Sequence, residues 1–226
     1  MKTDVSFLLS SQGRPIPVDH AYPVYSALSR ILPELHTLEE VGIHPICGIQ
    51  AGNQMLMLTS ESRLVIRIEP ERIATILPLA GKSIGLGQTV LQIGVPTIHG
   101  LAPSPILRSR LVTIKGFTEP KTFCEAIRRQ LDAMEVSEQV GILLKKKERK
   151  PTGELVVLRR TLRIHEKEIV GFEVFLTDLS DEESIRVQEI GLGGRRKMGC
   201  GMMIPAVSLP PEYYRFREPL VSKGGD

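Results

Sequence analysis

The chain has 226 residues, is 42% hydrophobic and 24% charged, and carries a formal net charge of +3. That balance excludes a disordered polyelectrolyte, and no apolar run reaches the roughly 18 residues that would span a membrane. Three scattered cysteines, Cys47, Cys124 and Cys200, have neither zinc-ligand spacing nor the pattern of a disulfide framework, and the N-terminus lacks an apolar signal region, so an intracellular, cytoplasmic protein is expected.

Residues 3–9 (TDVSFLL) alternate in polarity and predict a strand. Residues 23–35 (PVYSALSRILPEL) predict a helix with Val24, Leu28, Ile31 and Leu35 on one face, broken near its end by Pro33. HPICGI, QMLMLTS and SRLVIRIEP read as three short strands. A helix over Pro70–Leu79, with Glu71 in its first turn, and a strand TVLQIGVPTI complete this half. Two prolines in GLAPSPILRS (100–109) interrupt the pattern and predict a boundary.

The order then repeats. SRLVTIKG predicts a strand, and TEPKTFCEAIRRQLDAM a helix with Phe123, Ile127 and Leu131 inward. GILLKKKERK predicts a strand, and ELVVLRRTLRIH with EIVGFEVFLTDL a hairpin across Glu166–Lys167. SDEESIRVQEI predicts a helix opened by a Ser180/Glu183 capping box, and GCGMMIPAV a last strand. Strand, helix, strands, helix, strand is the split βαβ pattern. The expected fold is α+β: tandem ferredoxin-like (RRM-like) domains at 1–104 and 105–226, each with an antiparallel sheet and two helices.

Charge is unevenly placed. The first 108 residues balance eight Lys/Arg against eight Asp/Glu, so the whole excess falls in the second half. It concentrates at Lys145, Lys146, Lys147, Arg149, Lys150, Arg159, Arg160 and Arg163, opposed by Glu148 and Glu154. On adjacent strands these side chains would form one positive face suited to a nucleic-acid backbone.

GLGGRRKMGCG (191–201) adds two Gly-x-Gly pairs, Gly191/Gly193 and Gly199/Gly201, around Arg195, Arg196 and Lys197. Glycine reaches φ > 0 cheaply, successive amides in such a loop can cradle an anion, and arginine grips phosphate with two donors. The loop is not a dinucleotide fingerprint, because Arg196 stands where glycine is required. Nor is GKS at 81–83 a Walker loop, since Ile76 replaces the needed glycine.

The glycine pattern resembles the signature of the RAMP proteins of CRISPR systems. PVDHAYPVYSALSRILPELH (17–36) resembles the opening of the repeat-processing endoribonucleases among them, which release guide RNAs from precursor. The resemblance implies cleavage of a phosphodiester in CRISPR repeat RNA, at the base of a hairpin. The 2′-OH attacks without metal or other cofactor, leaving a 2′,3′-cyclic phosphate and a 5′-OH. It also implies other CRISPR-associated proteins as partners, and it leaves open a superfamily member that binds RNA without cutting. The implied catalytic histidine is His36, in the Leu-His pair after the first helix, with His20 second. Ser29 stands where some members carry a tyrosine, and no lysine follows His36 until Lys82, so the family's His-Tyr-Lys set is out of register. Charge for the phosphorane would then come from the glycine loop or the basic strand. His44 and His99 read as structural, and His165 as an exposed turn residue within reach of phosphate. Tyr22, Tyr25, Tyr213 and Tyr214 are available to stack on bases. PPEYYRFREPL (210–220) reads as an ordered tail or docking segment.

Overall fold

The structure, a computed structural model, describes residues 1–149, 154–209 and 213–215. The first half forms β1 (Thr3–Ser10), β2 (Ile16–Pro17), α1 (Ala21–Ile31), β3 (Gly42–Ile43), β4 (Ile49–Gln50), β5 (Met55–Met57), β6 (Arg63–Ile68), α2 (Ile73–Ile76), β7 (Ser83–Leu86) and β8 (Thr89–Gly100). The second forms β9 (Leu107–Val112), α3 (Pro120–Ala133), β10 (Gly141–Arg149), β11 (Glu154–Val157), β12 (Arg159–Ile164), β13 (Lys167–Thr177), α4 (Asp181–Ile190), β14 (Ile204–Pro205) and β15 (Tyr213–Arg215).

Alternation along β1 sends Val5, Phe7 and Leu9 into a core shared with Val24, Ala27 and Leu28 of α1. The first sheet runs β3-β6-β1-β8-β7, antiparallel throughout. The second runs β11-β10-β13-β9-β14 and packs Phe172, Val174 and Leu176 of β13 against Phe123, Ile127 and Leu131 of α3. Both are the ferredoxin-like order, with the first strand of each half inside its sheet, and the fold is tandem ferredoxin-like as expected. The apolar cores form two clusters, one within residues 5–93 and one within 107–203.

Local departures from the sequence reading have physical causes. HPICGI is not a strand: pairing is confined to Gly42–Ile43 and Ile49–Gln50, with Pro45 between them lacking an amide donor. The helix expected over Pro70–Leu79 is one α-turn between two 3₁₀ turns, since Pro78 cannot donate to the carbonyl four residues back. β7 was not expected; it pairs with β8 across a tight turn in which Gly87 has φ +63°. The β12–β13 turn is His165–Glu166, with Ile164 opposite Lys167. GCGMMIPAV pairs only at Ile204–Pro205.

The two basic segments form no ladder with each other, although the Leu158 amide, next to Arg159, donates to the Lys145 carbonyl at 2.7 Å. Lys146 and Lys147 face Val157 and Val156 across a β10–β11 ribbon, whereas Arg159, Arg160 and Arg163 pair along β13. Lys150, the side chains of Arg149 and Tyr214, and most of PPEYYRFREPL lie outside the described residues.

The halves are joined through Arg67, which is 2% exposed. Its Nε and Nη2 each donate at 2.8 Å to the Asp4 carboxylate, and Nη1 donates to the carbonyls of Gln188 (2.8 Å) and Met203 (2.9 Å). Burial pushes the Asp4 carboxyl up, but hydrogen bonds and charge from Arg67 and His44 outweigh it and hold the group far below the ordinary carboxylate range.

Candidate active site

Pro33 sets the local geometry. A residue before proline is kept out of the helical region, and Leu32 sits at φ −130°, ψ 81°. Proline then opens a 3₁₀ turn, Pro33–His36, which folds back along α1. The reversal brings His36 Nδ1 within 2.9 Å of the Tyr25 hydroxyl, with the rings edge to face. The two side chains border a depression of about 160 Å³ lined also by Tyr22, Ser26, Ser29 and Arg30. His36 is exposed and Tyr25 half-buried, so the pair is open to a bound strand. Ser29 lines the same depression; it is 6% exposed, and its hydroxyl has no hydrogen-bond partner among the described residues.

His20 is placed differently. The Ile46 amide donates to its Nε2 at 3.0 Å, so the proton is on Nδ1, which donates to the Pro17 carbonyl at 2.9 Å. Burial lowers its pKa, favouring this neutral tautomer, and neither ring nitrogen is left to face a substrate. His44 is buried as well: burial lowers its pKa, and its Nε2 lies 3.5 Å from Asp4 with no hydrogen-bond partner among the described residues.

The glycine loop reaches this site from the other half of the chain. Lys197 Nζ donates to the His36 carbonyl at 3.0 Å. Burial lowers the Lys197 pKa, opposed by the charge of Glu39. Tyr25, Gly194, Arg195, Arg196 and Lys197 line a second hollow of about 270 Å³ beside the first. Tyr25 and Lys197 thus both meet the turn that carries His36, the first through its ring and the second through its backbone carbonyl.

The glycines do something other than expected. A Cβ on Gly201 would lie 1.7 Å from the Leu192 carbonyl oxygen, one on Gly193 2.4 Å from that of Thr113, and one on Gly199 2.9 Å from Pro45. The amides of Leu192, Gly193, Gly194, Gly199, Cys200 and Gly201 all donate within the protein. The bare backbone lets the loop close on itself, on the strand end at Thr113 and on Pro45. Only the amides of Arg195, Arg196 and Lys197, at the tip, lack a partner among the described residues.

Two of the candidate phosphate-binding arginines are already paired. Arg160 and Arg108 hold the fully buried Glu173, whose pKa burial raises but the arginines bring down, and Arg159 meets Glu119 at 2.5 Å. Arg163 and Lys147 are exposed, and Lys145 and Lys146 are half-buried. Tyr213 is not free to stack: it packs on Phe175 and donates to Glu173. Among the described residues no group of three or more His, Cys, Asp or Glu side chains is placed to hold a metal ion, and no helix is long and apolar enough to cross a membrane.

Comparison with known proteins extends this picture. A family model described as Cas6 Crispr matches residues 3–208. The chain is 38% identical over 201 residues to the CRISPR-associated endonuclease Cas6 of Myxococcus xanthus (strain DK1622), covering 89% of this chain and 81% of that one. Among solved structures, a CRISPR-associated protein Cas6 superposes with a TM-score of 0.63 at 12% identity, over 91% of this chain and all of the other. A Cas6-related protein from Pyrococcus furiosus also gives 0.63, at 16% identity, over 92% of this chain and all of the other. The chain belongs to the Cas6 family of CRISPR-associated proteins.

Proposed function

We propose that this protein is a metal-independent endoribonuclease that cuts CRISPR precursor RNA within its repeats, at the base of a hairpin, and that Tyr25, His36 and Lys197 form the cutting centre. One observation carries the reading: a histidine open to solvent, bonded through Nδ1 to a tyrosine, with an ammonium delivered beside it from the glycine loop. Membership of a family that includes a relative named as an endonuclease supports it.

The chemistry follows from the geometry. In the tautomer the reaction needs, His36 Nδ1–H donates to the Tyr25 oxygen and Nε2 keeps its lone pair. Nε2 takes the proton of the 2′-OH, whose oxygen attacks the adjacent phosphorus. Lys197 is long enough to turn from the His36 carbonyl to a nonbridging oxygen and meet the charge that builds on the phosphorane. Arg195, Arg196 and the loop-tip amides hold flanking phosphates, with Lys145, Lys146, Lys147 and Arg163 extending the contact along the RNA backbone.

The test is cleavage of end-labelled repeat RNA in excess EDTA, with the wild type beside His36→Ala. Wild type is expected to leave a 2′,3′-cyclic phosphate, and the variant to bind as tightly but cut at least about 10²-fold more slowly. A wild type that binds tightly and never cuts would make the protein a hairpin-holding subunit of an effector complex. Cutting that needs added metal would overturn the mechanism.

A further inference from the structure

The depression that holds Tyr25 and His36 has a second histidine at its margin. Tyr22 lines the same depression, three residues before Tyr25 on α1, and its hydroxyl lies 2.8 Å from Nε2 of His165. The two rings meet edge on, with centroids 4.9 Å apart. His165 comes from the other half of the chain, as the first residue of the β12–β13 turn. Asp19 ties that hairpin to the start of α1 by accepting from the Arg163 amide at 3.2 Å.

The backbone at His165 is a further sign. Its φ is +52°, at the position of a two-residue hairpin turn that favours glycine. Histidine occupies that place at a conformational cost, and such costs gather at functional sites. One flank of α1 therefore presents two tyrosine–histidine pairs, one closed within the first half and one completed by the second. Side chains three residues apart on a helix stand about 5–6 Å from each other at Cβ, a spacing that can bracket a single phosphodiester.

We infer that Tyr22, supplied by His165, is the general acid for the leaving 5′-oxygen. The inference rests on the endoribonuclease reading above. As His36 takes the 2′-OH proton, the O2′–P bond forms and the P–O5′ bond breaks. The Tyr22 proton passes to O5′, and a proton carried on His165 Nε2 replaces it on Tyr22. One proton leaves the substrate and one arrives, so the charge on the phosphate is unchanged. Tyr22 is the catalytic residue of this step and His165 the positioning residue behind it.

The experiment uses two repeat RNAs, one natural and one with sulfur in place of the scissile 5′-oxygen, cut under single-turnover conditions in EDTA. A thiolate leaves without protonation. On the natural RNA, Tyr22→Phe is expected to be about 10²-fold slower than wild type and His165→Ala about 10-fold or more. On the sulfur RNA both should approach the wild-type rate, while His36→Ala stays slow on each. Equal losses on the two RNAs, or no loss on the natural one, overturn the inference and leave the nuclease reading standing. A wild type that cuts neither RNA overturns both.

Discussion

Tyr25→Phe removes one oxygen and keeps the ring. The wall of the depression and the edge-to-face contact with His36 survive; the 2.9 Å bond to His36 Nδ1 does not. A hydrogen bond of this kind contributes about 0.5–1.5 kcal/mol net. At about 1.4 kcal/mol per tenfold, its loss from a group that only orients His36 corresponds to roughly 2- to 13-fold in rate. The loss should fall on the cleavage rate constant, measured with enzyme in excess. Affinity, measured with an uncleavable RNA bearing 2′-deoxyribose at the scissile position, should be unchanged. In a His36→Ala background the same substitution should cost nothing more, because nothing is left to orient. A Tyr25→Phe enzyme at full speed, or one whose penalty persists without His36, would refute the reasoning.

The other outcomes concern the loop, the joint between the halves and pH. Lys197→Met should slow cleavage by about 10²-fold by removing a cation needed in the transition state, with Tm unchanged in a thermal melt. Gly201→Ala should destabilise by about 3 kcal/mol, because its Cβ meets the Leu192 carbonyl at φ +67°. In a denaturant titration of both glycine variants, Gly194→Ala, which meets nothing within 4 Å, should stay within about 0.5 kcal/mol. Arg67→Met should cost about 3 kcal/mol, the lower end for a broken buried pair because Asp4 is 20% exposed, and Asp4→Asn in addition should recover part of it in urea melts. Burial depresses both His20 and His44 from an ordinary value near 6.5, so the unfolded chain binds more protons. Stability is then full above that value and falls as pH drops below it. The urea midpoint should be lower at pH 5.5 than at pH 7.5, and a midpoint that rose would contradict the assignment.

The parts of the molecule written in short-range code were readable. The Ser180/Glu183 box caps α4 with both reciprocal bonds in place, and Pro33 ends α1 where the periodicity falters. β7 escaped notice because SIGL is four residues with one glycine, too short for alternation to register. The site was half legible. His36 stood out, but the resemblance put Ser29 at the place of the family's tyrosine, whereas the 3₁₀ turn folds His36 back over Tyr25, about one turn earlier. The signal was present in PELH: a proline three residues before the histidine reverses the chain. Lys197 was legible as part of the charged glycine loop, but no local signal could show that it meets His36 across 161 residues.

The glycine loop resolves into two jobs that the sequence presents as one. Its glycines let the chain close tightly against Leu192, Thr113 and Pro45, and their own amides are consumed in doing so. That closure fixes the tip, and the tip carries the charge. Arg67 fixes the same loop from its far end by holding the Met203 carbonyl, and the neighbouring Gln188 carbonyl of α4 with it. Lys197 on the His36 carbonyl, Arg163 on Asp19 and His165 on Tyr22 then tie the second half to α1 and the turn that follows it. A misplacement of about 1 Å at reacting groups can cost 10²-fold in rate. A site built from both halves therefore depends on the joint as much as on its histidine, and tight packing of the loop is what aims its cations.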